Sequence, residues 1–157
     1  MFVFIRAVTY AALFIGLVLV FVPAQLLSPG IERPETIGAS QVVGMVVAVG
    51  GGAIALWCIL SFAVVGRGTP APFDPPRRLV VRGPYAAVRN PMYIGAGLAL
   101  GGASLFYQSL PLLGYTAAFF LVTHLFVVLY EEPTLRRTFG TDYESYCRQV
   151  RRWWPRP

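Results

Sequence analysis

The chain has 157 residues, 56% of them apolar and only 13% charged, with a net charge of +6. Soluble domains average about 25% charged residues, so this composition argues against an ordinary soluble globule and against a disordered tail. Two cysteines are too few for a disulfide scaffold.

The charges leave three gaps. None falls between Arg6 and Glu32, between Glu35 and Arg67, or between Arg89 and Glu131, runs of 25, 31 and 41 residues. A bilayer core takes about 20 apolar residues per helical span. The first two gaps hold one span each, and the third holds two if it is broken in the middle, where Gln108, Ser109 and Pro111 stand. The pattern predicts four transmembrane helices over roughly 3–26, 40–66, 92–107 and 111–130.

A cleaved signal peptide is the rival for the first span, with Val22-Pro23-Ala24 as its cleavage site. Phe2, Val3, Phe4 and Ile5 do not supply the charged start that such a peptide needs. In the second span, Gly44, Gly50, Gly51 and Gly52 suit close helix packing. Between residues 67 and 91 stand Pro70, Pro72, Pro75, Pro76, Pro84 and Pro91, which predict a stiff, extended loop. In that loop Leu79-Val80-Val81 could pack on the membrane surface or on a short helix.

Asn90-Pro91 reads as a helix start, with Asn as N-cap and Pro in the first turn. The free N–H groups there, beside Arg82 and Arg89, favour an anionic group. The helix that follows is short, about 24 Å at a rise of about 1.5 Å per residue. In the tail, Phe139-Gly140 reads as a helix stop, and Thr141 with Glu144 fits a capping box. Tyr143, Tyr146, Cys147 and Val150 then share one helical face, and Trp153 and Trp154 suit a headgroup anchor. This last helix is expected to be amphipathic and to lie on the membrane surface.

Arginine sets the orientation, since the chain contains no lysine. The 27–39 loop carries Glu32, Arg33 and Glu35; the 67–91 loop carries five arginines against Asp74; and the tail from 131 carries six arginines against four acids. The positive-inside rule puts the 67–91 loop, the tail and both termini in the cytoplasm. The expected fold is therefore an all-α polytopic membrane protein of four transmembrane helices, multi-pass in what is expected to be a bacterial cytoplasmic membrane. The basic balance marks topology and anionic headgroups rather than nucleic acid. Cys58 and Cys147 are expected to be free thiols.

Three features could carry chemistry. They are Arg82-Gly83-Pro84-Tyr85 with the run from Val88 to Gly97, Glu131-Glu132 at the end of the fourth span, and the tyrosines and arginines of the tail. Two carboxylates at a membrane edge are costly unless paired or hydrated. At a helix C-terminus they also oppose the dipole, so helix stability does not explain them.

Together these features resemble the integral-membrane methyltransferases, the group of isoprenylcysteine carboxyl methyltransferase and phospholipid N-methyltransferase. The matching elements are Gly83-Pro84-Tyr85, Arg89-Asn90-Pro91-Met92-Tyr93-Ile94-Gly95, Glu131-Glu132, Phe139 to Tyr146, and Val150 to Pro155. They cover about residues 67–157, and their order and spacing are more specific than any one of them. Asn90 stands where the prenylcysteine enzymes usually have His.

The resemblance implies methyl transfer from S-adenosylmethionine to a lipophilic, membrane-resident acceptor, a prenylcysteine-type carboxylate or a phospholipid amine among them. It divides the chain into two N-terminal transmembrane helices, 1–66, whose part in acceptor entry stays open, and a methyltransferase-like core, 67–157. It implies Arg89 and Glu132 as catalytic, and Asn90, Tyr93, Gly95, Gly97, His124, Glu131, Glu132, Tyr143 and Tyr146 as cofactor-binding. No metal site is expected, and the oligomeric state stays open.

Packing alternatives stand beside these roles. Gly95, Gly97, Gly101 and Gly102 suit a helix seam, Glu131-Glu132 a solvated helix end, and Tyr143 and Tyr146 interface anchors. His124, seven residues before Glu131, suits an interhelical hydrogen bond. Two other functions also fit: an NADPH-dependent membrane reductase of sterol-reductase type, and a small non-enzymatic packing or lipid-binding protein.

Overall fold

The computed structural model describes residues 9, 13, 15–27, 36–61 and 79–156. The loop with Glu32, Arg33 and Glu35, and the proline-rich stretch up to residue 78, lie outside them. The described residues are helical and contain no strand; the one isolated parallel bridge joins Val88 to Arg151.

Six helices follow in order. α1 (Ile15–Leu27) is wide-turned as far as Phe21. α2 covers Ala39–Ser61, α3 is the single turn Pro84–Ala87, and α4 covers Pro91–Tyr107. α5 covers Leu110–Phe126 and runs through a π-helical turn, Val127–Glu131, into α6, Glu132–Gln149. Two of the described helices are long and apolar enough to cross a membrane: α2, and the continuous helix that starts at Leu110. The four-span reading asks for two more, but α4 has 17 residues and α1 is described from Ile15 only.

The seam between α2 and α4 is made by glycine. A Cβ on Gly51 would lie 2.5 Å from the Gly95 carbonyl oxygen, and one on Gly95 would lie 2.7 Å from the Gly51 oxygen. Gly44 and Gly102 meet in the same way one heptad along each helix, so the two helices run antiparallel. Small residues let backbones approach this closely where lipid offers no hydrophobic driving force. Gly50 and Gly52 face open space.

The α4–α5 hairpin turns where the sequence predicts it. Gln108 adopts the left-handed conformation with φ 50°, and Ser109 caps α5 by accepting a hydrogen bond from the Leu112 N–H at 3.3 Å. α1 leans on this hairpin: the Tyr115 hydroxyl donates to the Val18 carbonyl at 3.0 Å, and Val18 and Leu19 pack on Ala96, Leu100 and Phe119. The outer faces of α2 and α5 expose Val46, Val49, Trp57, Leu121, Val122 and other large apolar side chains. Water would not tolerate so wide an apolar surface on a monomer; lipid does.

The tail folds back on the loop before α4. Gly140, with φ 51° and ψ −124°, kinks α6 where the sequence predicts a stop. Beyond the kink, Tyr143, Tyr146 and Val150 are buried with Leu79, Leu135, Phe139 and Cys147 around them. Val80 packs instead on Cys58 and Tyr85. The Tyr146 hydroxyl donates to the Tyr85 carbonyl at 2.7 Å, which ties α6 to α3. Both cysteines are free.

Candidate active site at the α4–α5 mouth

The start of α4 and the end of α5 lie at the same end of their hairpin, because the two helices are antiparallel and similar in length. That brings Arg89, Asn90 and Tyr93 to Glu131 and Glu132 across some forty residues of chain. The carboxylates leave the helix at a π turn, in which the Glu132 N–H bonds back to the Val127 carbonyl. Pro133 has no N–H to offer the preceding turn, so the helix cannot keep its regular ladder there. Such turns recur at functional sites.

The two glutamates have different surroundings. Glu132 is buried and fully engaged. Arg152 Nε donates to its Oε1 at 2.7 Å and Arg152 Nη2 to its Oε2 at 2.9 Å, while Arg89 Nη1 lies 3.2 Å from Oε1. Burial alone would raise the Glu132 carboxyl. The hydrogen bonds from Arg152 and the charges of Arg89, Arg152 and Arg136 outweigh burial and hold it below the usual carboxylate range. Glu131 accepts one hydrogen bond, from the Tyr93 hydroxyl to Oε2 at 3.1 Å, and makes no ion pair among the described residues.

Arg89 is a hub. Its backbone N–H donates to the Arg151 carbonyl at 2.9 Å, and its Nη1 also donates to the Cys147 sulfur at 2.7 Å. Its Nε is buried with no partner. A buried, unpartnered guanidinium N–H costs free energy unless something completes it.

Asn90 departs from the expected cap. It occupies the N-cap position, but its side chain makes no capping bond. Its Nδ2 instead donates to the Arg152 carbonyl at 3.3 Å. The amide holds the tail against the helix start rather than closing the helix.

The remaining predicted residues have other neighbours, although Tyr143 lies near enough to Glu132 to feel its charge. Over Gly95 the space is taken by α2, with the Gly51 oxygen at 2.7 Å and the Ala55 nitrogen at 2.8 Å from a built Cβ. Over Gly97 the Phe120 ring fills the space. Both glycines thus serve helix packing in this structure. Tyr143 and Tyr146 are core residues of the tail, and burial raises both hydroxyls. His124 is exposed on α5, where its Nδ1 accepts from Trp153 Nε1 at 3.1 Å.

Sequence reasoning does not single out Arg152, which stands only among the arginines of the tail. The signal for it was the acidic pair itself, which needs a counter-charge at a membrane edge. Among the described residues no cluster of His, Cys, Asp and Glu could hold a metal ion.

The arrangement offers one free carboxylate with a hydroxyl beside it and one buried N–H donor edge, next to a lipid-facing hairpin. Comparison with curated proteins and with solved structures gave no match. A family model, phospholipid methyltransferase, matches residues 39–142, about two thirds of the chain, from the start of α2 into the tail. The chain belongs to the phospholipid methyltransferase family.

Proposed function

We propose that the protein transfers a methyl group from S-adenosylmethionine to a lipophilic acceptor at the cytoplasmic face of a membrane. The observation that carries this reading is the convergence of Arg89 and Tyr93 on Glu132 and Glu131, at 3.2 and 3.1 Å, in a chain of this family. The residues fit such a cofactor. Glu131 has acceptor capacity for an ammonium or for ribose hydroxyls, and the unpartnered Arg89 Nε suits a carboxylate. When bound, the cofactor supplies an electrophilic methyl on a sulfonium.

This chain's own part is then to bind, orient and exclude water. Arg89 anchors an anionic group, Tyr93 orients Glu131, and Glu132 fixes Arg89. Asn90 secures the tail beside the mouth. Tyr143 and Tyr146 support the same region from the tail, and His124 from α5, where it receives Trp153. Gly95 and Gly97 act by seating α2 and Phe120, which sets the angle of α4. Arg89 and Glu131 would hold the cofactor, which would supply the methyl that the acceptor's nucleophilic atom takes up. A carboxylate acceptor needs no base, whereas an amine acceptor gives up a proton, for which Glu131 is the nearest unpaired carboxylate.

In the proposed topology four helices cross the membrane, with both termini and the 67–91 loop in the cytoplasm. The first two helices support the core formed by residues 67–157. The acceptor reaches the mouth laterally from the bilayer, and the cofactor from the aqueous side.

Calorimetry on detergent-purified protein tests this. S-adenosylmethionine and S-adenosylhomocysteine are expected to bind and NADPH is not. Binding of NADPH alone would make the protein a reductase, and binding of none by folded protein would favour a non-enzymatic role.

A further inference from the structure

Residues 151–153, just beyond α6, are tied to three other parts of the fold. Val88 and Arg151 form a parallel bridge, closed by the bond from the Arg89 N–H to the Arg151 carbonyl. Asn90 holds the Arg152 carbonyl, the Arg152 fork holds Glu132, and Trp153 reaches His124 on α5. The strap therefore crosses from the end of α6, past the start of α4, to α5.

Its central link is electrostatic. Arg152 occupies both oxygens of Glu132 in a planar fork, the geometry in which guanidinium and carboxylate bind most tightly. A glutamate so held cannot rotate. Arg89 Nη1 leans on the same Oε1, so the plane of Arg89 depends on where Glu132 is fixed. A Glu132 without Arg152 would be a buried carboxylate facing one arginine, free to take both of its Nη groups and turn the Nε edge away. Arg152 itself is nearly one-third exposed, so water and small solutes reach it.

On the methyltransferase reading above, we propose that Arg152 is a positioning residue. It locks Glu132, Glu132 orients Arg89, and the ligand-facing contacts fall to Arg89 Nε and Glu131. The second glutamate of the pair is then a buttress, and the strap is an integral wall of the site rather than a membrane anchor.

Cys147 gives a readout independent of catalysis. Its sulfur accepts from Arg89 Nη1, whereas Cys58 is fully buried. Alkylation of Cys147 by a water-soluble maleimide in detergent therefore reports the position of Arg89. The variants are Arg152→Ala and Arg152→Lys, each measured with and without millimolar guanidinium chloride, alongside S-adenosylhomocysteine affinity by calorimetry.

Arg152→Ala is expected to speed alkylation about tenfold and to weaken S-adenosylhomocysteine by about 10- to 100-fold, as for other residues that orient a ligand-binding group. Guanidinium is expected to reverse both effects. Lysine, a point charge without the fork, is expected to recover them only in part. Wild-type alkylation and affinity in Arg152→Ala would overturn the proposal, as would a change that guanidinium does not reverse, since that marks a merely loosened tail. A wild-type protein that binds no S-adenosylhomocysteine while alkylation still responds to Arg152 would overturn the cofactor reading alone. An unresponsive alkylation rate in protein that does bind it would overturn the role of Arg152 alone.

Discussion

Gly51 and Gly95 face each other across the α2–α4 crossing so closely that a side-chain carbon on either would meet the other helix's backbone at 2.5 to 2.8 Å. Backbone cannot yield as the end of a flexible side chain can. The crossing fixes α4, which carries Tyr93 to the mouth with Asn90 and Arg89 just before its first turn. A packing feature thus sets the geometry of the site one turn away.

Gly95→Ala or Gly51→Ala should destabilise the protein by about 1–3 kcal/mol, the usual penalty for overpacking. Gly50→Ala and Gly52→Ala meet nothing within 4 Å and should leave stability unchanged or raise it by up to about 1 kcal/mol, since glycine is the poorer helix former. Thermal unfolding of the four variants in one detergent checks this. Equal losses in all four would contradict the seam.

Ser109 is buried at the head of α5 and accepts the Leu112 N–H. Ser109→Ala leaves that donor unsatisfied and should cost about 1 kcal/mol. Denaturation of the purified variant measures it, and an unchanged midpoint would show that water or lipid headgroups replace the cap.

Tyr93 reaches Glu131 through its hydroxyl, 3.1 Å away. Tyr93→Phe keeps the ring and removes the bond, so methyl transfer should fall by about tenfold, the equivalent of about 1.4 kcal/mol. Glu131→Gln should fall further, because it removes the charge as well. Kinetics with labelled cofactor separate the two, and a Tyr93→Phe enzyme at wild-type rate would mean that Glu131 needs no orientation.

Glu132 contributes stability that depends on pH. Its carboxyl is held below the ordinary value of 4.5, with burial opposing and Arg152, Arg89 and Arg136 prevailing. The unfolded chain therefore takes up this proton before the folded one does. The stabilisation is complete above the ordinary carboxylate range and is lost as pH falls through the depressed folded value. Unfolding midpoints of wild type and Glu132→Gln should differ by a constant amount at neutral pH and converge in acid. A gap that widens in acid would contradict the sign.

Much of this was legible in the sequence because membrane helices leave coarse signals. The break at Gln108-Ser109, the kink at Gly140 and the helix start at Asn90-Pro91 all follow from backbone chemistry, and each stands where the residues put it. The meeting of the Arg89 region with the acidic pair was legible from the hairpin, since two helices of similar length must bring their outer ends together. What local pattern could not show was how side chains divide their partners. Glycines 95 and 97 look the same whether a ligand or a neighbouring helix fills the space above them. Asn90 looks like a cap until the tail arrives to take its amide. Arg152 looks like any basic tail residue, because its partner lies twenty positions away around a kink that the helical wheel does not follow.

Methyl transfer itself is tested by following a labelled methyl group. Purified protein is mixed with a native membrane lipid extract and S-adenosylmethionine carrying a radioactive methyl, and the organic phase is counted. Label is expected in a lipid-soluble product with wild-type protein, with a loss of at least about tenfold in Glu131→Gln. Label that stays entirely in the aqueous phase, with folded protein and a complete lipid extract, would contradict it.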